Sequence, residues 1–141
     1  MPSNRAYLDH LRNVPLFAAC SNKELQTIAR AADEITLPAG HALTDQGQTG
    51  REAFIIVKGE ATVRRNGKKI ATLGPGAVVG ELSLLDHGPR TATVTTDYET
   101  TVLVIDQRHF LAVLDDVPSL SHKLLATLAG RVREFDRQYY G

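Results

Sequence analysis

The chain has 141 residues, and its 16 Lys and Arg balance its 16 Asp and Glu. This length is typical of one domain with its own core, and the zero net charge lacks the basic surplus of nucleic-acid-binding domains. With 43% apolar residues and a single cysteine, the composition excludes a disordered chain and a disulfide scaffold, and no apolar run reaches the roughly 20 residues of a membrane helix. We therefore expect a single cytoplasmic domain that binds neither nucleic acid nor membrane.

The stretch from about 5 to 32 is predicted to be helical. Apolar residues recur at helical spacing before Pro15 interrupts them. Ser21 and Glu24 then form a capping-box pattern, which predicts a helix at about 22–32.

Short strands are predicted from about 33 to 106. An apolar run rich in β-branched residues covers 53–57, and the runs at 61–65 and 68–73 are joined by an Asn-Gly pair. That pair is typical of a two-residue type I′ hairpin turn. A further strand is expected at 91–96. Many short strands at close spacing favour a sandwich or barrel.

Helices are expected again from about 107 to 140. Asp106 is a candidate N-cap, and Pro118 separates a first helix from a longer one. The longer helix carries one predicted apolar stripe, of which we expect residues 124–132 to pack on the β-core; its members are Leu120, Leu124, Leu125, Leu128, Val132, Phe135 and Tyr139.

The most informative segment begins at Gly80, a residue that permits close backbone approach. Residues 82–86 are long enough for a short helix, whose N-terminus favours an anion. Pro89 would end this helix and leave Arg90 at the start of a strand, where a guanidinium group binds phosphate through two oxygens. A carboxylate such as that of Glu81 repels a phosphate but accepts a hydrogen bond from a hydroxyl. Glu81 in such a site therefore indicates a hydroxyl on the same ligand. The pattern therefore predicts a nucleotide or a sugar phosphate.

The same segment resembles the phosphate-binding cassette of cyclic nucleotide-binding domains. The cassette residues are Gly80-Glu81-Leu82 and Pro89-Arg90-Thr91-Ala92-Thr93-Val94. The resemblance extends from about 16 to 132 through turns and strands in the family's order, at Pro38-Ala39-Gly40, Gln46-Gly47, Phe54-Ile55-Ile56-Val57-Lys58-Gly59 and Leu73-Gly74-Pro75-Gly76. Val79 stands where phenylalanine is common and Thr96 where alanine is common, and neither position makes an implied contact.

The resemblance implies a mainly β fold, a β-jelly-roll (double-stranded β-helix) with N-terminal helices and C-terminal lid helices. It assigns Arg90 to the cyclic phosphate and Glu81 to the ribose hydroxyl, with further backbone or hydroxyl contacts from Gly80, Leu82, Ser83, Thr91 and Ala92. Cyclic AMP is the first choice of ligand. Cyclic GMP stays open, because a threonine after the arginine occurs in members that prefer guanine. Neither a cofactor nor a metal is implied.

Simpler interpretations exist for each residue, and an enzyme is a further alternative. Arg90 could be a solvated surface residue, Glu81 a charge that stabilises a helix N-terminus, and Thr91 an ordinary strand residue. Ser83, with Asp86 and His87, lacks a nucleophile elbow. Because the five histidines also show no metal-ligand spacing, we expect no enzymatic activity.

Signalling is expected to pass from the short helix through Leu84 or Leu85 to the C-terminal helices. The outer part of the last helix, with Phe135 and Tyr139, is interpreted as a lid over the base, as a dimer helix or as a frayed terminus. The expected partners are a cyclic nucleotide and either a protein effector or a second copy of the chain. The alternative function is an interaction or oligomerisation module that keeps the fold without the ligand.

Overall fold

Two four-stranded sheets and five α-helices make up the chain in a computed structural model that describes residues 4–139, and the side chains of residues 8–137. The helices are α1 (Asn4–Arg12), α2 (Asn22–Arg30), α3 (Glu81–Asp86), α4 (Gln107–Asp116) and α5 (Pro118–Tyr139), with a 3-10 turn at Pro15–Phe17. The strands are β1 (Asp33–Leu37), β2 (Ala42–Thr44), β3 (Glu52–Lys58), β4 (Ala61–Arg65), β5 (Lys68–Leu73), β6 (Val78–Val79), β7 (Thr93–Thr96) and β8 (Thr100–Asp106).

All strand pairs in both sheets are antiparallel. The first sheet has the order β1-β8-β3-β6, and the second has the order β2-β7-β4-β5. Consecutive strands therefore alternate between sheets in places, so the chain crosses from one sheet to the other as it winds. The mainly β fold with helices on both flanks is as the sequence predicts.

The apolar run on β3 is explained by burial on both faces of the first sheet. Ala53 and Ile55 pack in a cluster with residues of the helices, whereas Phe54 and Ile56 pack between the two sheets. Successive strand residues point to opposite faces, so an alternating pattern is not required where both faces are covered. The helices thus form a layer on the first sheet, and the second sheet remains free to line a cavity.

Two local predictions are confirmed by hydrogen bonds and backbone angles. The Ser21 hydroxyl accepts from the backbone N–H of Glu24, and the Glu24 carboxylate accepts from the backbone N–H of Ser21. Asn66 and Gly67 both have positive φ, at 54° and 79°, as the type I′ turn between β4 and β5 requires.

The predicted strand at 91–96 begins two residues late, at Thr93. The backbone of Arg90 is bound instead to the loop before β3. Its N–H donates to the Gln48 carbonyl oxygen at 2.8 Å, and its carbonyl oxygen accepts from Gly47 at 2.9 Å. The preceding helix ends at His87, whose left-handed φ of 57° closes α3 before Pro89 is reached.

The expectation that residues 124–132 of the last helix pack on the β-core is wrong for Leu125 and Val132. Leu120 and Leu124 are buried, but Leu125 is 63% exposed and Val132 is 61% exposed. Helix α5 packs mainly on α4 and on the 3-10 turn at Pro15–Phe17, and the apolar stripe predicted from the sequence extends beyond this contact surface. Only the N-terminal end of α5 therefore packs in the core, and the rest projects from it.

Candidate functional site

A cavity of about 250 Å³ is lined by the second sheet, β6, the start of α3 and one residue of α5. This volume is close to the lower limit of small-ligand clefts, roughly 300 Å³. Most residues predicted for ligand contact lie on its wall, namely Gly80, Glu81, Leu82, Arg90, Thr91 and Ala92. The strands add apolar walls through Val63, Leu73 and Val94. The fold thus joins both parts of the cassette around one concave surface.

Arg90 is the buried cation of this cavity, with 7% of its surface exposed. Nη1 donates to the Gly80 carbonyl oxygen at 2.8 Å, and Nη2 donates to the Glu52 carbonyl oxygen at 2.5 Å. A Cβ atom on Gly50 or Gly80 would overlap the guanidinium group, so these glycines leave the space that it fills. Since arginine has five N–H donors, further donors remain for an anion in the cavity.

Burial lowers the pKa of the Arg90 guanidinium, and the carboxylates of Glu52 and Glu81 oppose this shift. Arginine nevertheless stays protonated in proteins at any ordinary pH. The cavity therefore contains a permanent positive charge that is largely removed from water. Such a charge binds an anion more strongly than an exposed one does.

Glu81 begins α3, and its side chain is only 12% exposed. Its Oε1 lies 3.6 Å from Nη2 of Arg131, which is half-exposed on α5. The sequence analysis did not predict this ion pair, because the two residues are far apart along the chain. The pair connects the cassette directly to the C-terminal helix.

The other predicted residues differ in their position. Leu82 is half-buried and Thr91 is exposed at the cavity, while Ala92 is buried and its carbonyl oxygen accepts from the Thr44 hydroxyl at 3.0 Å. Ser83 is buried but is absent from the residues that line the cavity. The structure therefore places no part of Ser83 on the cavity wall.

The two lid candidates lie at the far end of α5. Phe135 is 53% exposed, follows Arg131 by one helical turn and does not line the cavity. The side chain of Tyr139 lies outside the described residues, as does the whole of Tyr140.

Cavity residues missed by the sequence analysis come from elements that the cassette pattern does not include. Arg65 and Val63 are on β4, Thr44 is on β2, and Arg131 is on α5. Their alternation or helical spacing indicated which face of each element was apolar. It carried no information about which faces meet.

Comparison with known proteins identifies the family of this chain. The model of the cyclic nucleotide-binding domain matches residues 34–117. This chain belongs to the cyclic nucleotide-binding domain family. The matched residues extend from Glu34 of β1 past the end of α4 and include the whole cassette. In this cyclic nucleotide-binding domain, each residue that lines the cavity except Arg131 lies within the matched region.

Two similar proteins have regulatory names. The cyclic AMP receptor protein of Thermus thermophilus is 30% identical over 131 residues, which cover 89% of this chain and 61% of that protein. The regulatory subunit of the cAMP-dependent protein kinase of Mycosarcoma maydis is 33% identical over 144 residues, covering 96% of this chain and 25% of that protein. This cyclic nucleotide-binding domain spans less than two thirds of the length of each relative.

Solved structures confirm the jelly-roll. The catabolite activator protein of Thermus thermophilus matches with a TM-score of 0.81 and 31% identity, over 88% of this chain and 61% of that one. The N-terminal domain of a transcriptional regulator from Streptomyces coelicolor matches with a TM-score of 0.75 and 31% identity, over 94% and 95% of the two chains.

A membrane span and a metal site are both absent from the described part of the domain. No described helix is both long and apolar enough to cross a bilayer. Within the same residues, no group of three or more His, Cys, Asp or Glu side chains is arranged to hold a metal ion.

Proposed function

We propose that this domain is a sensor that binds cyclic AMP and has no catalytic activity of its own. The observation that carries the proposal is one cavity that combines the buried guanidinium of Arg90 with the nearly buried carboxylate of Glu81. The names of the two relatives favour the adenine nucleotide over cyclic GMP. Calorimetric titration of the protein with cyclic AMP and cyclic GMP tests the proposal. Saturable binding of cyclic AMP is expected, and no binding of either nucleotide would overturn it.

Each cassette residue has a role in this proposal. Arg90 binds the cyclic phosphate, and Glu81 accepts a hydrogen bond from the ribose hydroxyl. Gly80 allows the ligand to approach the backbone, and Thr91 contributes its hydroxyl. The remaining contacts come from backbone groups of Leu82 and Ala92, and none is assigned to Ser83, which does not line the cavity.

The route of the signal follows from the Glu81–Arg131 ion pair. A ribose hydroxyl that binds Glu81 competes with Arg131 for the same carboxylate. Ligand binding therefore weakens the ion pair that connects the cassette to α5. Leu84 of α3 is fully buried in the cluster that contains Phe110 of α4. A shift of α3 would therefore move both C-terminal helices, to the extent that the ligand favours one arrangement.

The output is proposed to leave the domain through α5. Leu125 and Val132 are seven residues apart, on one face of the helix, and both are more than half exposed. That face suits a protein effector or a second copy of the chain.

We further propose that the segments 5–32, 33–106 and 107–140 act together as one cytoplasmic, ligand-responsive unit.

Hydrogen exchange of residues 131–139 separates the roles of the outer helix. A lid, which would bring Phe135 onto the base, gains protection when ligand is added at any protein concentration. A dimer helix gains protection when the protein concentration rises without ligand. Full exchange under every condition would contradict both roles and place the output elsewhere.

The variant Thr91→Ala tests whether the Thr91 hydroxyl contributes to selectivity between cyclic AMP and cyclic GMP. If its hydroxyl binds the guanine amino group, Thr91→Ala lowers the affinity for cyclic GMP more than that for cyclic AMP. If it binds only the phosphate, both affinities fall together, by about 2- to 10-fold for one hydrogen bond. We expect the second result. Unchanged affinities for both ligands, measured by calorimetry, would remove Thr91 from the site.

A further inference from the structure

We propose that Arg65 is a second cation for the phosphate of the ligand, a role that rests on the cyclic-nucleotide sensor proposed above. Arg65 is the last residue of β4 and lines the same cavity as Arg90. Its Nε donates to the carbonyl oxygen of Thr91 at 3.0 Å. Thr91 is the residue that follows Arg90 in the chain. Two guanidinium groups from separate elements therefore lie beside one segment of the cavity wall.

The charge of Arg65 is not compensated by a carboxylate. No described residue forms an ion pair with it, whereas Arg131, at the same cavity, is paired with Glu81. Because Nε is the atom bound to Thr91, both terminal amino groups of Arg65 remain available as donors. A cyclic phosphate has two exocyclic oxygens. It can present one oxygen to Arg90 and the other to Arg65.

Neighbouring contacts fix the backbone beside Arg65 before a ligand arrives, and the bond from Nε to the Thr91 carbonyl oxygen orients the guanidinium group. The Gln46 side chain makes two hydrogen bonds to Asn66, both at 2.8 Å: its Nε2 donates to the Asn66 side-chain oxygen Oδ1, and its Oε1 accepts from the backbone N–H of Asn66. The backbone N–H of Gln46 also donates to the Thr93 hydroxyl at 3.0 Å. The hairpin tip is thus tied to the strand that follows the cassette. Fixing the guanidinium in advance reduces the ordering cost of binding.

Arg64 is a matched control for this proposal. It adjoins Arg65 on β4, is also exposed and does not line the cavity. We expect Arg65→Gln to weaken cyclic AMP binding by about 10- to 150-fold, the effect of one hydrogen bond to a charged group. Arg64→Gln should leave the affinity unchanged. Thermal melts of both variants should match the wild type, since both side chains are exposed.

The ligand itself distinguishes phosphate contact from support of the Thr91 backbone. Sulfur can replace either exocyclic oxygen of cyclic AMP, which gives two diastereomers. If Arg65 binds one of these oxygens, Arg65→Gln changes the ratio of the two affinities by about twofold or more. Arg64→Gln leaves the ratio as in the wild type. An unchanged ratio in Arg65→Gln would overturn the proposal.

The base provides a second check. Since the phosphate is common to both nucleotides, Arg65→Gln should weaken cyclic AMP and cyclic GMP by the same factor, and a loss confined to one base would overturn the proposal. If Arg90→Ala loses binding while Arg65→Gln binds like the wild type, Arg65 has no such role and the sensor stands. If the wild type binds neither nucleotide, the sensor itself is wrong.

Discussion

Arg90→Ala is expected to abolish useful binding of a cyclic nucleotide while the two sheets stay folded. The side chain is buried and is the only cation of the cavity that is anchored on two backbone carbonyl oxygens, those of Gly80 and Glu52, among the described residues. Removing one partner of a buried charge pair costs roughly 2–5 kcal/mol, or about 30- to several-thousand-fold in affinity. Stability should also fall, because the two carbonyl groups lose their donor.

Calorimetry of Arg90→Ala beside Arg64→Ala measures this loss, and thermal melts show whether each variant is folded. Arg64 is exposed and lines no part of the cavity, so its variant should bind like the wild type. Arg90→Lys keeps the charge without the planar fork and should fall between the two. An Arg90→Ala protein that binds with wild-type affinity would disprove the cassette assignment.

Glu81→Gln is expected to weaken cyclic AMP by about 10- to 150-fold, since a hydrogen bond to a charged group contributes roughly 1.5–3 kcal/mol. The same variant should matter much less for 2′-deoxy cyclic AMP, because that ligand lacks the hydroxyl assigned to Glu81. The difference between the two ligands isolates the hydroxyl contact from any general effect on α3.

Four affinities are needed, for wild type and Glu81→Gln with each ligand. Glu99→Gln is a suitable control, since Glu99 is an exposed glutamate that does not line the cavity. Arg131→Gln extends the test to the ion pair. Because Arg131 competes with the ribose hydroxyl for Glu81, this variant should strengthen binding of cyclic AMP more than binding of 2′-deoxy cyclic AMP, and it should change the protection of α5. Equal losses for both ligands in Glu81→Gln would remove Glu81 from the ribose role.

The local part of the site was predictable from the sequence, and the long-range part was not. Gly80, Glu81 and Arg90 lie within one short segment, so their chemistry could be interpreted together. Arg65 and Arg131 reach the cavity only because β4 pairs with β7 and α5 leaves the core near α3. A single sequence contains no signal that pairs these elements.

The difference between local and long-range contacts also explains which features of the fold the sequence predicted correctly. The capping box of Ser21 and the Asn66 turn depend on residues next to each other, and both are confirmed. The start of β7 depends on the bonds of Arg90 to a distant loop. The exposure of Val132 depends on where the packing of α5 on α4 and on the 3-10 turn at Pro15–Phe17 ends. These tertiary partners overrode the local pattern.

An NMR titration of the labelled protein with cyclic AMP tests the central claim most directly, because it reports where the ligand binds. The largest changes in amide chemical shift are predicted at residues 80–83 and 90–92, with smaller ones at 65 and 131. Residues of β1, which lie away from the cavity lining, should change least. Saturating ligand that leaves 80–83 and 90–92 unchanged would contradict the claim.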